Sequence, residues 1–600
     1  MKYPTLAEIP TTRQTTDVFG GYNHNLRIND GEFFNMKNLT STYYPVLSPR
    51  GKRGEYVTVK NPLGMIAKDT LCYVDDGVFY IGEKAVDGLE LTNEPKNLVS
   101  IGAYVVILPD KKWVNTAAGA DGNYTHGGIE ATFESGGARV TFTLCKVDGT
   151  GYSNVSKGDT APEDATNGQF WLDTSASPHS LKVYSSSNGT WTSIATTYIK
   201  IQCEGIGEQF DIHDGINISG LENDDLIDYN SGEKVTDTIQ EQLFDINGSA
   251  VVWDKGDDYI VVVGILDEEA SISNELTITR TMPALDFVIE SENRLWGCRY
   301  GLSNKGEFVN EIYASKQGDF KNWNCFMGVS TDSYVASCGT DGAFTGAITH
   351  LGHPLFMKEN FMHKVYGNYP ANYQIQTTAC RGVQKGCGDS LAIVNEMLYY
   401  KSRSGIMAYD GSLPMEASRA LGDVLYDSAV AAGHGNKYYI SMRDTGGEYH
   451  LFVHDTAKGL WHREDNTQVV HFCSCQNELY FIEHGGKSIR TIVDSKAVSK
   501  ETVEWMAETG VIGVSTPDKK YISRLNISLS MAVGSRVYIY IQYDSVGEWE
   551  QVASLSGTVL RTFSVPIRTK RSGHMRLRIT GVGEAKIYSI VKTIEQGSDV

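Results

Sequence analysis

Six hundred residues exceed what one hydrophobic core supports, since single cores stop growing near ~250–300 residues, so a large domain and two or more smaller ones are expected. With 41% hydrophobic and 21% charged residues the composition is that of a folded chain and excludes a disordered one. The net charge of −20, from 53 basic against 73 acidic residues, excludes a general nucleic-acid binder, which needs a basic stripe to neutralise phosphates.

In chain order, the start Met1-Lys2-Tyr3-Pro4 shows no basic segment followed by an apolar run, so no signal peptide is expected. The longest apolar stretch, Tyr259 to Leu266, is strand-sized and far short of the ~20 residues that span a bilayer. Gly at 61 and Tyr at 33 are abundant, which favours tight turns and pleated, half-buried strands over helices. A short unit then recurs: a polar turn, an apolar or aromatic run, a second turn and a second run. It opens at Asp69–Ile81 and returns at Asn293–Tyr300 with Asn310–Trp323, at His353–Tyr366 and at Asn395–Asp410. Further copies are Asn436–Met442 with His450–Trp461, and Asn477–Ile482. After residue 285 the spacing is roughly 40–50 residues, the period of propeller blades, which stack radially because a lone four-stranded sheet cannot bury both faces.

The pattern vanishes between Asn115 and Arg280, where Gly, Asp, Ser and Thr dominate and Asn188-Gly189 signals a hairpin. From about Val511 the chain alternates strictly, as in Leu525–Leu529, Val537–Tyr543 and Met575–Ile579, the mark of strands with one buried and one wet face. The expected fold is therefore all-β: a β-propeller with an inserted small β region and a C-terminal β-sandwich. Residues 1–115 hold the N-terminal segment and first blades, 116–280 the insertion, 281–500 the remaining blades and 511–600 the sandwich.

The stretch Glu311-Ile-Tyr-Ala-Ser-Lys-Gln-Gly-Asp-Phe-Lys-Asn-Trp323 resembles the bacteriophage tail nozzle and tail stabilisation proteins. So do His353–Gly367 and Cys380-Arg-Gly-Val-Gln-Lys-Gly386. Gly31–Arg50 is similar to phage structural proteins from Gram-positive gut bacteria, and Gly168–Thr174 to small modules of phage fibre and tail proteins. The resemblance implies a virion structural protein, assembled in the host cytoplasm as a cyclic homo-oligomeric ring, often sixfold. Its partners would be the portal and adaptor, other tail proteins, fibres and the host surface, with DNA passing through unbound. An acidic wall suits that passage, because it repels the phosphate backbone.

Catalytic motifs are not apparent, and a protein that is not an enzyme is expected. The nearest approach to a sialidase Asp-box, Ser185-Ser-Ser-Asn-Gly-Thr-Trp191, has Ser for Asp and is one residue short. Adjacent acids (Asp75-Asp76, Asp224-Asp225, Asp257-Asp258, Glu268-Glu269) point to opposite faces of a strand and suit turns better than a hydrolytic dyad. The ten Cys and the His residues 350, 353, 363, 434, 454, 462, 471 and 484 carry no metal or redox spacing, so neither a metal nor a cofactor is expected. Trp171, Tyr184 and Trp191 in the insertion are the candidate contacts for a glycan or partner, with the core of a small module as the competing role. They carry the alternative expectation, a receptor- or glycan-binding tail appendage.

Overall fold

Each Asn-led copy of the recurring unit is the second arm of a tight hairpin. The first and second strands of five sheets are joined by the two-residue turns Glu292-Asn293, Leu351-Gly352, Asn395-Glu396, Gly435-Asn436 and Gln476-Asn477. Every one of these turns holds at least one residue at positive φ, between 50° and 77°. Asn tolerates that left-handed region better than other residues with a Cβ, and its backbone twist matches that of paired strands.

The computed structural model describes residues 11–222, 225–493, 501–514 and 518–596. Met1–Pro4 and Asp224, named above, lie outside them. The protein is all-β; among the described residues one α-helix occurs, α1 (Asp237–Asp245), capped by the Thr236 side chain. It divides into two units: Met1–Leu98, Phe344–Lys364 and Thr377–Val600 form the first, Val99–Ala343 and Val365–Gln376 the second.

Four-stranded sheets follow one another along the chain over 344–379, whose first two strands belong to the first unit, and over 392–416 and 426–463, both within it. Each packs on the next. Leu355, Met357, Val394, Leu398, Tyr438 and Ile440 belong to one buried cluster. Tyr439 and Val453 then pack on Leu479 and Phe481 of the 469–491 sheet. That sheet has only three strands of its own. Its fourth is Gly54–Thr58 from the other end of the chain, in register Ile489↔Val57 and Thr491↔Gly54. Cys473, Tyr480 and Ile482 continue the packing onto Leu71 and Tyr73 of the 62–85 sheet. Arg53, just before the borrowed strand, is buried with its guanidinium 2.9 Å from both Glu464 and Asp465.

The rest of the first unit is a two-layer sandwich whose long strands alternate as their sequence indicates, Lys520–Met531 and Met575–Val582 burying every other side chain. The expected domain 511–600 is nevertheless too narrow. One layer has the order Thr11–Thr16, Ala585–Gln596, Lys520–Met531, Arg561–Pro566. The other runs from Gly21–Tyr22 and Glu32–Lys37 through Glu504–Thr509 to Met575–Val582, Arg536–Tyr543 and Glu550–Leu555. Residues 11–37, expected to precede the first blades, are sandwich strands. Thr11–Thr16 reads Thr-Thr-Arg-Gln-Thr-Thr and is exposed along five of its six residues, so no apolar period announces it.

In the second unit, the 97–128 sheet packs through Val99, Ile101 and Val106 on Val288 and Leu295 of the 287–337 sheet. Its last strand, His126–Gly128, lies inside the expected insertion. A Gly was needed there: a Cβ on Gly127 would stand 2.9 Å from the Trp113 ring that lies across it. The chain leaves at Ala131–Glu134 and returns at Thr277–Arg280, and these two strands pair with each other, Ala131↔Arg280 to Glu134↔Thr277. Between them, a four-stranded sheet, a five-stranded sheet and α1 share one core that includes Phe142, Ile201, Ile218, Leu243, Val262 and Ile278.

Candidate functional site

Within the excursion, 155–193 folds as its own four-stranded sheet, with Val155–Gly158 parallel to Phe170–Asp173 and the other pairs antiparallel. Register places Trp171 opposite Lys182 and Tyr184 opposite Trp191, so the three predicted aromatics share one face. Trp191 is their hub. Its ring centroid lies 5.4 Å from Trp171 and 5.3 Å from Tyr184.

Trp171 is only 6% exposed. Its indole N–H donates to the Gly158 carbonyl at 3.0 Å, and the Lys182 ammonium stands 5.0 Å over its ring. That ammonium also donates to Asp173 at 2.6 Å; this bond and the Ser175 hydrogen bonds hold the Asp173 carboxyl down at about 2. Trp171 is therefore a packing residue, whereas Tyr184 and Trp191 keep part of their rings open. For Trp171 the packing agrees with the competing role, the core of a small module.

One carboxylate ties the small sheet to the rest of the excursion, beside the edge-on contact of Phe170 with Tyr152. Asp267, whose side chain is 2% exposed, accepts from His179 at 2.7 Å, pairs with Lys157 at 3.0 Å and accepts from Gln242 of α1 at 2.7 Å. Burial alone would raise its pKa, but these hydrogen bonds hold it below the ordinary carboxylate value.

A concavity of about 600 Å³ lies elsewhere in this unit, between the two-sheet body and the loop after Ala314. Tyr198, Trp253, Phe326 and Met327 give it apolar walls, and Asp245 and Asn324 stand among them. Trp253 is flanked edge-on by Tyr198, at 5.7 Å, and by His213, at 6.1 Å.

The loop that supplies Asn324 and Phe326 follows the Ser315–Trp323 stretch and is built around buried polar groups. Asn322 accepts from the Gly215 amide at 2.9 Å and donates to Asp214 at 3.0 Å, and Asp214 is paired with Arg280. The Arg294 guanidinium, fully buried, donates to the carbonyls of Ser315, Ser330, Thr331 and Asp332. The Asp332 carboxylate accepts from the amides of Met327 and Gly328, both at 2.7 Å, and from Val329 at 3.1 Å. Gly215 is required where it stands, since a Cβ there would meet the Asn324 carbonyl oxygen at 2.5 Å. None of this was read from the sequence. The walls come from positions more than fifty residues apart, and no local period joins Tyr198, Trp253 and Phe326.

The histidines serve hydrogen bonds and rings. His350 bonds the Glu396 carbonyl at 2.8 Å, His363 the Thr377 hydroxyl at 2.9 Å, and His454 stacks on Trp461 at 4.6 Å. Of the adjacent acids, Asp75 accepts from the Lys60 and Asn61 amides, and Asp258 from the Gly205 amide at 2.8 Å. Among the described residues no group of three or more His, Cys, Asp or Glu side chains is placed to hold a metal ion.

No protein-family model matches the chain, and no curated protein matches it. Among solved structures it is similar to an exo-β-1,3-galactanase from Phanerochaete chrysosporium at 10% identity, over 51% of this chain and 94% of that one, with a TM-score of 0.20. It is also similar to an engineered glycoside hydrolase with endo-xylanase and exo-arabinofuranosidase activity, at 8% identity over 53% and 99%, TM-score 0.20. The extracellular domain of a hybrid two-component system from B. thetaiotaomicron matches at 8% identity over 94% and 99%, TM-score 0.17. Two of these three are glycoside hydrolases, and the expectation that the chain is not an enzyme is corrected on that finding. At these TM-scores the likenesses carry no argument for a particular activity.

Proposed function

We propose that the serial four-stranded sheets (54–58 with 469–491, 62–85, 392–416 and 426–463 among them) are β-propeller blades, and that they are the scaffold of a bacteriophage tail protein. The observation that carries the first half is the completion of the 469–491 sheet by Gly54–Thr58. A ring of blades needs its first and last members tied, and a strand lent from one chain end to the sheet at the other does this without leaving an open edge.

The second half rests on the resemblance of Glu311–Trp323, His353–Gly367 and Cys380–Gly386 to tail nozzle and stabilisation proteins, and on the charge of −20. In this reading, subunits meet through heterologous contacts that close by rotation into a ring. DNA passes an acidic lumen that does not hold it. The excursion 131–280 and the sandwich face portal, adaptor, fibres or other tail proteins. The chain is then part of the virion tail, assembled in the host cytoplasm.

The test is electron cryo-microscopy of purified tailed particles with antibody or mass-spectrometric identification of this chain. Multiple copies in a cyclic ring on the tail axis are expected. A chain absent from particles, or present as an isolated monomer, would overturn the proposal.

A further inference from the structure

We infer that the concavity walled by Tyr198, Trp253 and Phe326 is a binding site for an uncharged sugar, a neutral hexose or N-acetylhexosamine unit of a glycan. The inference stands apart from the propeller and tail readings, since its argument uses only the lining of the cavity, all of it within the second unit. Three observations lead to it.

The first is size and shape. About 600 Å³ falls within the ~300–1,000 Å³ usual for small-molecule sites and accommodates one or two pyranose rings.

The second is the pairing of open aromatic surface with uncommitted polar groups. Phe326 is 54% exposed although its loop is fixed by the Arg294 and Asp332 networks, so the ring is held out by a stiff backbone. Trp253 is only partly covered, and its orientation is set by Tyr198 and His213. Beside them, Asp245, Ser249, Thr196 and Asn324 line the same space. In the described residues none of these four side chains is engaged in a hydrogen bond within the chain. A sugar ring presents C–H groups on its faces and hydroxyls at its rim, and so meets both kinds of surface at once. Aromatic faces take the C–H side, while a carboxylate accepts from hydroxyls and an amide both donates and accepts.

The third is charge. The lining contains no Lys, Arg or His, and its one ionisable acid is Asp245. An anionic ligand such as a sialic acid or a sugar phosphate would enter without a counter-charge and against a carboxylate, so the site selects neutral sugars. A purely apolar ligand fits worse, because it would leave the Asp245, Ser249 and Asn324 groups desolvated and unpaired.

The test uses the full chain with D-galactose, N-acetylglucosamine and maltose as neutral probes, and N-acetylneuraminic acid and glucose 6-phosphate as charged ones. Saturation-transfer NMR and tryptophan fluorescence report binding. The expected result is saturable, millimolar binding of at least one neutral probe, weakened at least about tenfold by Trp253→Ala. Because Trp253 also packs inside the excursion, Asn324→Ala and Asp245→Ala, both at exposed positions, must weaken binding too, while Phe308→Ala, on a distant hairpin tip, must not. No saturable binding of any neutral probe would overturn the inference, as would binding indifferent to Asn324→Ala and Asp245→Ala or a preference for the charged probes. So would self-association of the chain that Phe326→Ala abolishes, for the cavity would then be a contact between copies.

Discussion

Arg53→Ala should release the strand that completes the 469–491 sheet. Arg53 immediately precedes Gly54–Thr58, and its guanidinium is 2% exposed, 2.9 Å from Glu464 and Asp465, and donates to the Thr467 hydroxyl at 2.8 Å. Its amide also donates to Glu501 at 2.8 Å, a bond that alanine keeps. Breaking a buried ion pair from one side costs ~3–5 kcal/mol, mostly the penalty of the charge left behind. The lower end applies here. Asp465 is 16% exposed, and Arg50 remains 3.9 Å from Glu464 and 3.6 Å from Asp465 to offset part of the loss. About 3 kcal/mol is roughly a hundredfold in the opening equilibrium of the strand. Native-state hydrogen exchange reads this directly, with amides of 54–58 and 488–491 as reporters and 525–529 of the sandwich as internal reference. Acceleration of the reporters below about fivefold, equivalent to less than 1 kcal/mol, would refute the latch. Equal acceleration in the sandwich would refute its locality.

Acid should open the same latch. Burial alone would raise the Asp465 carboxyl, but Arg53, Thr467 and Arg50 hold it below its ordinary value. A depressed carboxyl contributes stability above its unfolded value of ~3.9 and loses it as pH falls through the folded one, so protection of 54–58 should be flat down to about pH 4, decline below it, and decline less in Arg53→Ala. Asp267→Ala should cost about 2 kcal/mol at the attachment of the 155–193 sheet and speed its release by limited proteolysis, with the other sheets resistant. Unchanged cleavage would show that Asp267 is not the fastening. Gly581→Ala would bring a Cβ to 2.2 Å from the Trp505 ring and should cost about 1–3 kcal/mol, seen as an earlier sandwich transition in tryptophan fluorescence. A transition unmoved by the substitution would mean that the indole has room to shift.

What was legible in the sequence was local. Asn293, Asn395, Asn436 and Asn477 open runs that form the second strands of four sheets, because turn chemistry and apolar runs are written in neighbouring residues. The alternation at Leu525–Leu529 and Val537–Tyr543 likewise reports one buried face. What was missed was pairing at a distance. Thr11–Thr16 carries no apolar signal yet pairs along its whole length with Ala585–Gln596, and His126–Gly128 is two-thirds glycine. At the candidate site, register brought Tyr184 and Trp191 together as neighbouring strands would suggest. Trp171 is buried by Lys182 and Trp191, a matter of packing that residue type alone does not decide. The cavity at Trp253 was illegible for the same reason as the sandwich: its walls meet only once three distant segments have folded.

The weave of both chain ends bears on how the protein is made. The strand Thr11–Thr16 leaves the ribosome more than 560 residues ahead of its neighbour Ala585–Gln596, so at ~5–20 residues per second it waits about 30–120 s for its mate. Glu32–Lys37 and Gly54–Thr58 wait for partners more than 400 residues further on. A polypeptide that stops early is left with bare β edges at its head, the surfaces that chaperones and proteases recognise. Synthesis through Ala585–Gln596 is thus a condition of a closed sandwich layer.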